Sequence, residues 1–488
     1  MGHDTIMRIL FASSEAHPLI KTGGLADVCG SLPPALKRLR HDVRLVLPAY
    51  PSARAAAGKT SPVAEIQLPG WDAPVRILEG VLPKTRVTLY LVDSPLHFDR
   101  AGDPYKAPDG RDWQDNALRF GLFARAIVKL ALGQAGLDWQ PQILHCNDWQ
   151  TGLAPALLSQ YPERPATVFT IHNLSYQGLF PAHVLEDLIL PPEFWNLHGL
   201  EFHGQLSFIK GGLVFADRLT TVSPTYAREI QTAQFGQGLD GLLNARAQDL
   251  HGILNGADYR HWDPARDKLI PARYDADHLE GKSACKQALQ EALGLEPDPA
   301  IPLLGHVGRM VPQKGMDLIL EACEPLLTSG QIQLAILGSG DRGLEARSQA
   351  LAARHAGRMG LRIGYDETLA HRIEAGADLF LMPSRFEPCG LNQIYSLRYG
   401  TIPVVRRTGG LADTVVDADA LHLAEGKATG LVFDAPTTEA LGGGIARGLA
   451  LHAEPETWRG LMRRGMAMDF SWERSARAYQ DLYRELIR

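Results

Sequence analysis

Two rhythms of apolar and polar residues take turns along this chain. Short β-branched and aliphatic runs are each followed by a longer stretch whose apolar positions recur at helical spacing. The first series of runs is RILFAS (8–13), DVRLVLP (42–48), RVTLYLVD (86–93), QILHCND (142–148), ATVFTIHN (166–173) and RLTTVSP (218–224). Runs of this kind bounded by turn residues predict buried strands, and their alternation with helices predicts βα units around a mostly parallel sheet. The rhythm breaks at ILNGADYRHWDPARD (253–267), where Asn-Gly and Asp-Pro interrupt the periodicity and suggest a hinge. It then restarts with PLLGHVGRM (302–310), IQLAILGSG (332–340), LRIGYDE (361–367), DLFLMPS (378–384), TIPVVRR (401–407) and TGLVFD (429–434). The pattern predicts an α/β protein of two doubly wound halves. Ligands in such sheets lie beyond the carboxyl ends of the strands, so a cleft between the halves is the default site.

Composition narrows the picture without changing it. A chain of 488 residues exceeds one compact core, and 45% hydrophobic with 21% charged residues excludes a disordered or fibrous class. A formal charge of −6 supplies no basic excess for nucleic acid or an anionic membrane, so an anionic ligand must meet local positive charge. Five cysteines, odd in number and widely spaced, write neither a disulfide framework nor a zinc knuckle and suggest a reducing compartment. The start MGHDTIMRILFASSEAH lacks the form of a secretory leader, and no run of 18 apolar residues occurs. A cytoplasmic protein with neither membrane nor nucleic acid as partner is expected.

The hexapeptide TGGLAD occurs at 22–27 and again at 408–413, each time after a basic residue and downstream of a predicted strand. Gly-Gly permits a tight turn, and free N–H groups at the helix start that follows attract anions. One reading is that each half presents a glycine turn to a shared anionic ligand; the other is two ordinary loop-to-helix joints. The hexapeptides alone leave both open.

Other strand ends carry more chemistry. GHVGRMVPQKG (305–315) places Arg309 and Lys314 where a strand gives way to a helix, an Arg fork and a Lys point charge suited to a diphosphate. SRFEPCGLNQIYSLRYG (384–400) places Glu387 and Cys389 in a loop before a helix near Gly390. Glu387 can bind hydroxyls or oppose a developing positive charge; Cys389 reads as a packing residue rather than a nucleophile. His172 and Asn173 end one strand, and Asp148 and Trp149 follow its neighbour, whereas His145 lies within the strand and reads as structural. LGSGDRG (337–343) is a glycine turn without the full dinucleotide spacing. Two DAD triplets, 275–277 and 417–419, follow no apolar strand and read as solvated loop or helix-end charges. Zincin, nucleophile-elbow and P-loop motifs are absent from the sequence.

KTGGLADV, IHN, GRMVPQKG, EPCGLNQ and RRTGGLADTV, in this order, make the chain resemble bacterial glycogen synthases and plant starch synthases from Arg8 to FSWERSARAYQDLY (470–483). The resemblance implies a GT-B fold, two Rossmann-like domains facing each other across a deep cleft. Its expected parts are 7–255, 256–465 as the nucleotide-sugar domain, and a C-terminal helix (466–488) returning to the first domain. It implies retaining transfer of glucose from ADP-glucose to the 4-hydroxyl at the non-reducing end of an α-1,4-glucan such as glycogen or a maltooligosaccharide. No cofactor and no metal are expected.

By motif, Lys21 and Gly23 would lie at the donor diphosphate and Asp27 near the bound sugars. Arg309 and Lys314 would hold phosphates, with backbone donors from Gly409 and Gly410. His172 would bind the glucosyl 6-hydroxyl and Glu387 the ring hydroxyls. Cys389, Gly390 and Leu391 would bind substrate beside Glu387, and Asp148 and Asn173 would line the donor and acceptor space. Tyr365, Gly338 and Gly340 would face the adenosine, with Asn255 near the hinge. Asn392 stands where much of the family has Thr, and Tyr395 where the wider retaining group has a second Glu. A UDP-glucose-dependent relative and a glucan-binding protein without catalysis are the alternative readings.

Overall fold

The structure, a computed structural model, describes residues 6–487, so the first letters read for a leader and the last residue of the expected C-terminal helix lie outside it. The chain divides into two compact units. One comprises the described residues up to Val222, Ala227–Gly256 and the segment from Trp472 onward; the other comprises Ser223–Tyr226 and Ala257–Ser471.

The first unit is built on strands β1 (Arg8–Ala12), β2 (Asp42–Pro48), β3 (Ser61–Ile66), β4 (Val75–Val81), β5 (Thr88–Asp93), β6 (Ile143–Asn147) and β7 (Ala166–Ile171). A small sheet follows from β8 (Leu179–Pro181), β9 (Glu201–Phe202) and β10 (Gln205–Ser207), and then come β11 (Arg218–Thr221) and β12 (Leu250–Gly252). The main sheet has nine strands in the order β12-β11-β7-β6-β1-β2-β5-β4-β3. It is parallel except for β3 and β4, an antiparallel edge that the sequence reading missed. The reason is exposure: β3 is mostly solvated and so writes no continuous apolar run.

The second unit carries β13 (Leu303–Val307), β14 (Gln333–Gly338), β15 (Met359–Ile363), β16 (Leu379–Met382), β17 (Ile402–Arg406) and β18 (Leu431–Phe433). All are parallel, in the order β15-β14-β13-β16-β17-β18. Alternate residues feed cores on opposite faces. Leu304, Ile336, Leu381 and Val404 enter one, and Leu303, Leu337, Phe380 and Val405 enter the other. This two-sided burial is why these strands read as unbroken apolar runs.

The C-terminal helix Trp472–Leu486 belongs to the first unit. It packs on the helix Gly24–Arg38, where Glu473 pairs with Arg38 and Gln480 meets the His41 ring at 2.8 Å. Tyr483 meets His145 Nδ1 at 2.6 Å, and His145 Nε2 lies 2.6 Å from Thr170 Oγ1, so His145 is a buried structural residue. The preceding helix, Pro455–Ala467, stays with the second unit.

Candidate active site

In the second sheet the strand order reverses at β13, which has β14 on one side and β16 on the other. The loops leaving β13 and β16 therefore diverge around a switch point, the usual ligand position in an open α/β sheet. Here they are laced together. Arg385 N donates to Gln313 O at 2.8 Å, and Gln313 Nε2 donates to Phe386 O at 3.2 Å. Gly315, at φ 71°, starts the helix Met316–Thr328, and a Cβ there would overlap the Pro383 carbonyl. Only glycine allows both the left-handed turn and the close approach. Lys314 sits just before it, and its ammonium donates to Glu387 Oε2 at 2.5 Å. Ser384 Oγ donates to the same oxygen at 3.0 Å. Glu387 is buried, whereas Arg309 is exposed, its guanidinium 3.4 Å from Gln313 Oε1.

The second TGGLAD copy lies beneath this loop. Gly410 N donates to Glu387 O and Pro388 O, each at 3.2 Å, and Cβ atoms on Gly409 or Gly410 would overlap the Glu387 or Cys389 carbonyl. The Gly410 amide, expected to face a phosphate, is engaged in holding the Glu387 loop. Cys389 is buried there, Gly390 takes φ 73°, and Leu391 precedes the helix Asn392–Arg398. Asn392 Nδ2 donates to Val307 O at 2.6 Å and ties that helix to the end of β13.

Gly338 ends β14, where a Cβ would overlap the Gly308 carbonyl, and Gly340 bridges to Met310 while its amide donates to Glu345 Oε1 at 2.7 Å. The glycine turn thus abuts the Arg309 segment. Gly364 N donates to Gly338 O, and beyond it Tyr365 stands 85% exposed. The triplet at 417–419 matches its sequence reading at Asp419, a helix-end charge, and departs from it at Asp417. Asp417 is no solvated charge: it accepts from Val432 N and pairs with Arg447 at 2.9 Å, while Asp419 caps a short helix.

In the first unit the ends of β1, β6 and β7 lie side by side. Asn147, missed in the sequence, joins all three. Its amide nitrogen donates to Ala12 O at 3.0 Å, so its oxygen faces His172 Nε2 at 2.9 Å as the acceptor. That assigns the hydrogen of the neutral ring to Nε2 and leaves Nδ1 a lone pair. Burial pushes the His172 imidazole down to about 3, so it is neutral at any physiological pH.

Asp148 adopts φ 55° and ψ 179°, a region that glycine favours, and its carboxylate accepts from His172 N at 2.7 Å and from Asn173 N. Burial raises it to about 7, the largest effect, and those two backbone donors oppose the rise. Backbone strain of this kind clusters at functional sites. Asn173 Oδ1 accepts from Ser175 N at 3.0 Å.

The first TGGLAD copy is open where the second is packed. Gly23 and Gly24 are exposed, and Cβ atoms on them would meet nothing within 4 Å. Lys21 pairs with Asp27 at 2.8 Å. The turn is held by Glu15, also missed in the sequence, which is buried and accepts from Thr22 Oγ1 at 2.7 Å and from the Tyr105 hydroxyl. A carboxylate between a buried strand and a Gly-Gly turn was the available signal. Asn255, after β12, is buried with an Oδ1 that finds no hydrogen-bond partner among the described residues.

One doubly wound unit with Arg309, Lys314 and Glu387 at its switch point, and a second doubly wound unit in the same chain, define a glycosyltransferase of the GT-B class, and comparison with known proteins agrees. Residues 8–245 match the starch synthase catalytic domain family, and residues 292–459 match glycosyl transferases group 1. A glycogen synthase of Thioalkalivibrio sulfidiphilus is 65% identical over 99% of this chain and 100% of its own length. Glycogen synthase 1 of Methylococcus capsulatus is 55% identical over 99% of this chain and 97% of its own. The catalytic domain of starch synthase IV from Arabidopsis thaliana, solved with ADP and acarbose, superposes with a TM-score of 0.89 at 32% identity, covering 99% of this chain and 100% of that one. The chain belongs to the glycogen synthase family.

Proposed function

We propose that this chain lengthens α-1,4-glucans, moving glucose from ADP-glucose to a non-reducing-end 4-hydroxyl with retention of configuration and releasing ADP. The observation that carries the reading is the Lys314 ammonium held on the buried Glu387 carboxylate at the switch point of the second sheet. Held there, Lys314 joins Arg309 in binding the donor diphosphate and stabilising the charge that grows on it as the bond to the glucosyl carbon breaks. Glu387 orients Lys314 and takes ring hydroxyls. His172, neutral with Nδ1 unprotonated, accepts a hydrogen bond from the glucosyl 6-hydroxyl. The acceptor oxygen bonds to the glucosyl carbon on the face that ADP leaves, and its proton passes to the departing phosphate. In this reading Lys21 and Gly23 would add donors to the diphosphate and Asp27 would serve the sugars; the open Gly23 turn, where a Cβ meets nothing within 4 Å, leaves room for close approach. The transfer so written needs neither metal nor cofactor.

Glycogen and maltooligosaccharides are the proposed acceptors. Among the described residues no helix is long and apolar enough to cross a membrane, and five free, buried cysteines fit a cytoplasmic setting.

The test is nucleoside diphosphate release from ADP-glucose and, separately, UDP-glucose, each with and without glycogen. Glycogen-dependent ADP release supports the reading. A UDP preference overturns the donor assignment, and no release from either sugar nucleotide overturns catalysis.

A further inference from the structure

Away from Lys314 and Glu387, the second unit gathers a cluster that the transfer does not use. The helix Glu367–Gly376 carries Glu367 and His371 four residues apart, on one face. His261 approaches from the loop after Ala257, its Nε2 lying 2.8 Å from Glu367 Oε1. One donor atom from each of the three residues lies within 4.8 Å of the others. His371 is fully buried, and its Nδ1 is 2.7 Å from Asp267 Oδ2, a carboxylate oxygen that also accepts from the Tyr399 hydroxyl at 2.6 Å. Its other nitrogen, Nε2, has no hydrogen-bond partner among the described residues.

A buried ring nitrogen without a partner costs free energy, whether it carries a proton or a lone pair. Asp267, acceptor-only when ionised, takes the hydrogen at Nδ1 and leaves the lone pair at Nε2, the arrangement by which a carboxylate prepares histidine for a metal. We propose that His261, Glu367 and His371 bind one divalent transition-metal cation of the zinc class through two imidazole nitrogens and one carboxylate oxygen, with a fourth position open to water. Two nitrogen donors and a single carboxylate suit zinc or cobalt and disfavour magnesium and calcium, which require mostly oxygen. His261 and Glu367 are exposed, so the cation has a path in, and their present hydrogen bond gives way to two bonds to the metal.

The cation would brace a stack of rings. Trp262 lies flat between His371, at 3.7 Å and 13°, and Tyr395, at 4.0 Å and 5°. Tyr395 is on the helix that follows the Glu387 loop. Binding would pin the 257–267 segment to the Glu367–Gly376 helix through His261 and hold Trp262 against both of its neighbours. The proposal is independent of the transferase reading.

The experiment uses the full chain stripped of metal, titrated with Co2+ followed by visible absorption and with Zn2+ against a chromophoric chelator. One equivalent per chain, a tetrahedral cobalt spectrum and a Zn2+-dependent rise in Tm are expected. His261→Ala and Glu367→Ala, both at exposed positions, should abolish the Tm rise and the stoichiometric binding. Asp267→Asn should weaken binding by about 10- to 100-fold. Absence of stoichiometric binding, equal affinity for Mg2+, or unchanged binding in both exposed variants overturns the proposal.

Discussion

Lys314 Nζ lies 2.5 Å from Glu387 Oε2, joining residues 73 positions apart in the chain across the switch point of the second sheet. Arg309 belongs to the same strand-end loop yet stands exposed, with a long 3.4 Å approach to Gln313 as its hydrogen bond among the described residues. The two cations thus differ in what else depends on them. Each alanine variant should lose roughly 100- to 1000-fold in kcat for glycogen-dependent ADP release. Lys314→Ala should also lose roughly 1 to 3 kcal/mol of stability, because the buried Glu387 side chain loses its lysine partner and keeps, among the described residues, Ser384. Arg309→Ala should melt with the parent. Kinetics and thermal melts on the pair check this, and near-normal turnover in both variants sinks the site assignment.

His172 and His145 are both pushed down to about 3 by burial, while burial raises Asp148 to about 7. The signs oppose. Between about pH 4 and 6.5 the unfolded chain takes up protons at both histidines that the native unit refuses, so their stabilisation is full above 6.5 and fades as the pH falls. Asp148 holds a native proton that the unfolded chain releases, so its contribution is full below about 4 and is lost as the pH rises through 7. Each net proton is worth about 1.4 kcal/mol per pH unit. Asp148→Asn should therefore destabilise more steeply on acidification than the parent, as read by urea midpoints at pH 5, 6 and 7. Equal slopes would contradict the assignment.

The two copies of TGGLAD should respond oppositely to a methyl group. Gly23 has extended backbone and open space, so Gly23→Ala should fold normally while raising the KM for ADP-glucose. Gly410→Ala drives a Cβ into the Cys389 carbonyl and should cost about 1–3 kcal/mol or more, with lost turnover as the Glu387 loop shifts. Comparing Tm and KM for the two variants tests the distinction. A stable, active Gly410→Ala would refute the packing role of the second copy.

Asn147 positions His172 through the end of β6. Asn147→Ala releases the imidazole from its partner, and a misplacement of about 1 Å costs on the order of 100-fold in rate. The expected result is a kcat loss of that order. An unchanged kcat would show that the Asn147 bridge does not set the ring.

Much of this protein was legible in its letters, for a local reason. Strands buried on both faces are written as apolar runs, so β1, β2, β5, β6, β7, β11 and most strands of the second sheet announced themselves, and the edge strand β15, part-exposed, was found by its place in the same rhythm. The exposed β3 did not, and its hairpin with β4 appeared only once pairing was seen. The strand-end positions of Arg309, Lys314, His172 and Glu387 were legible because these residues follow such runs, and strand ends are where sheets of this kind carry their ligands.

Which group touches which was a matter for the tertiary structure alone. Glu15 and Asn147 gave weak signals because partners that fix them lie far along the chain, Tyr105, alongside the nearby Thr22, for the one and Ala12 and His172 for the other. The repeated hexapeptide states the limit. Its letters determined a glycine turn into a helix at both places, because that preference is local. Whether the turn faces open space at Gly23 or lies under the Glu387 carbonyl at Gly410 depends on what packs beside it, and packing is a property of distant segments brought together.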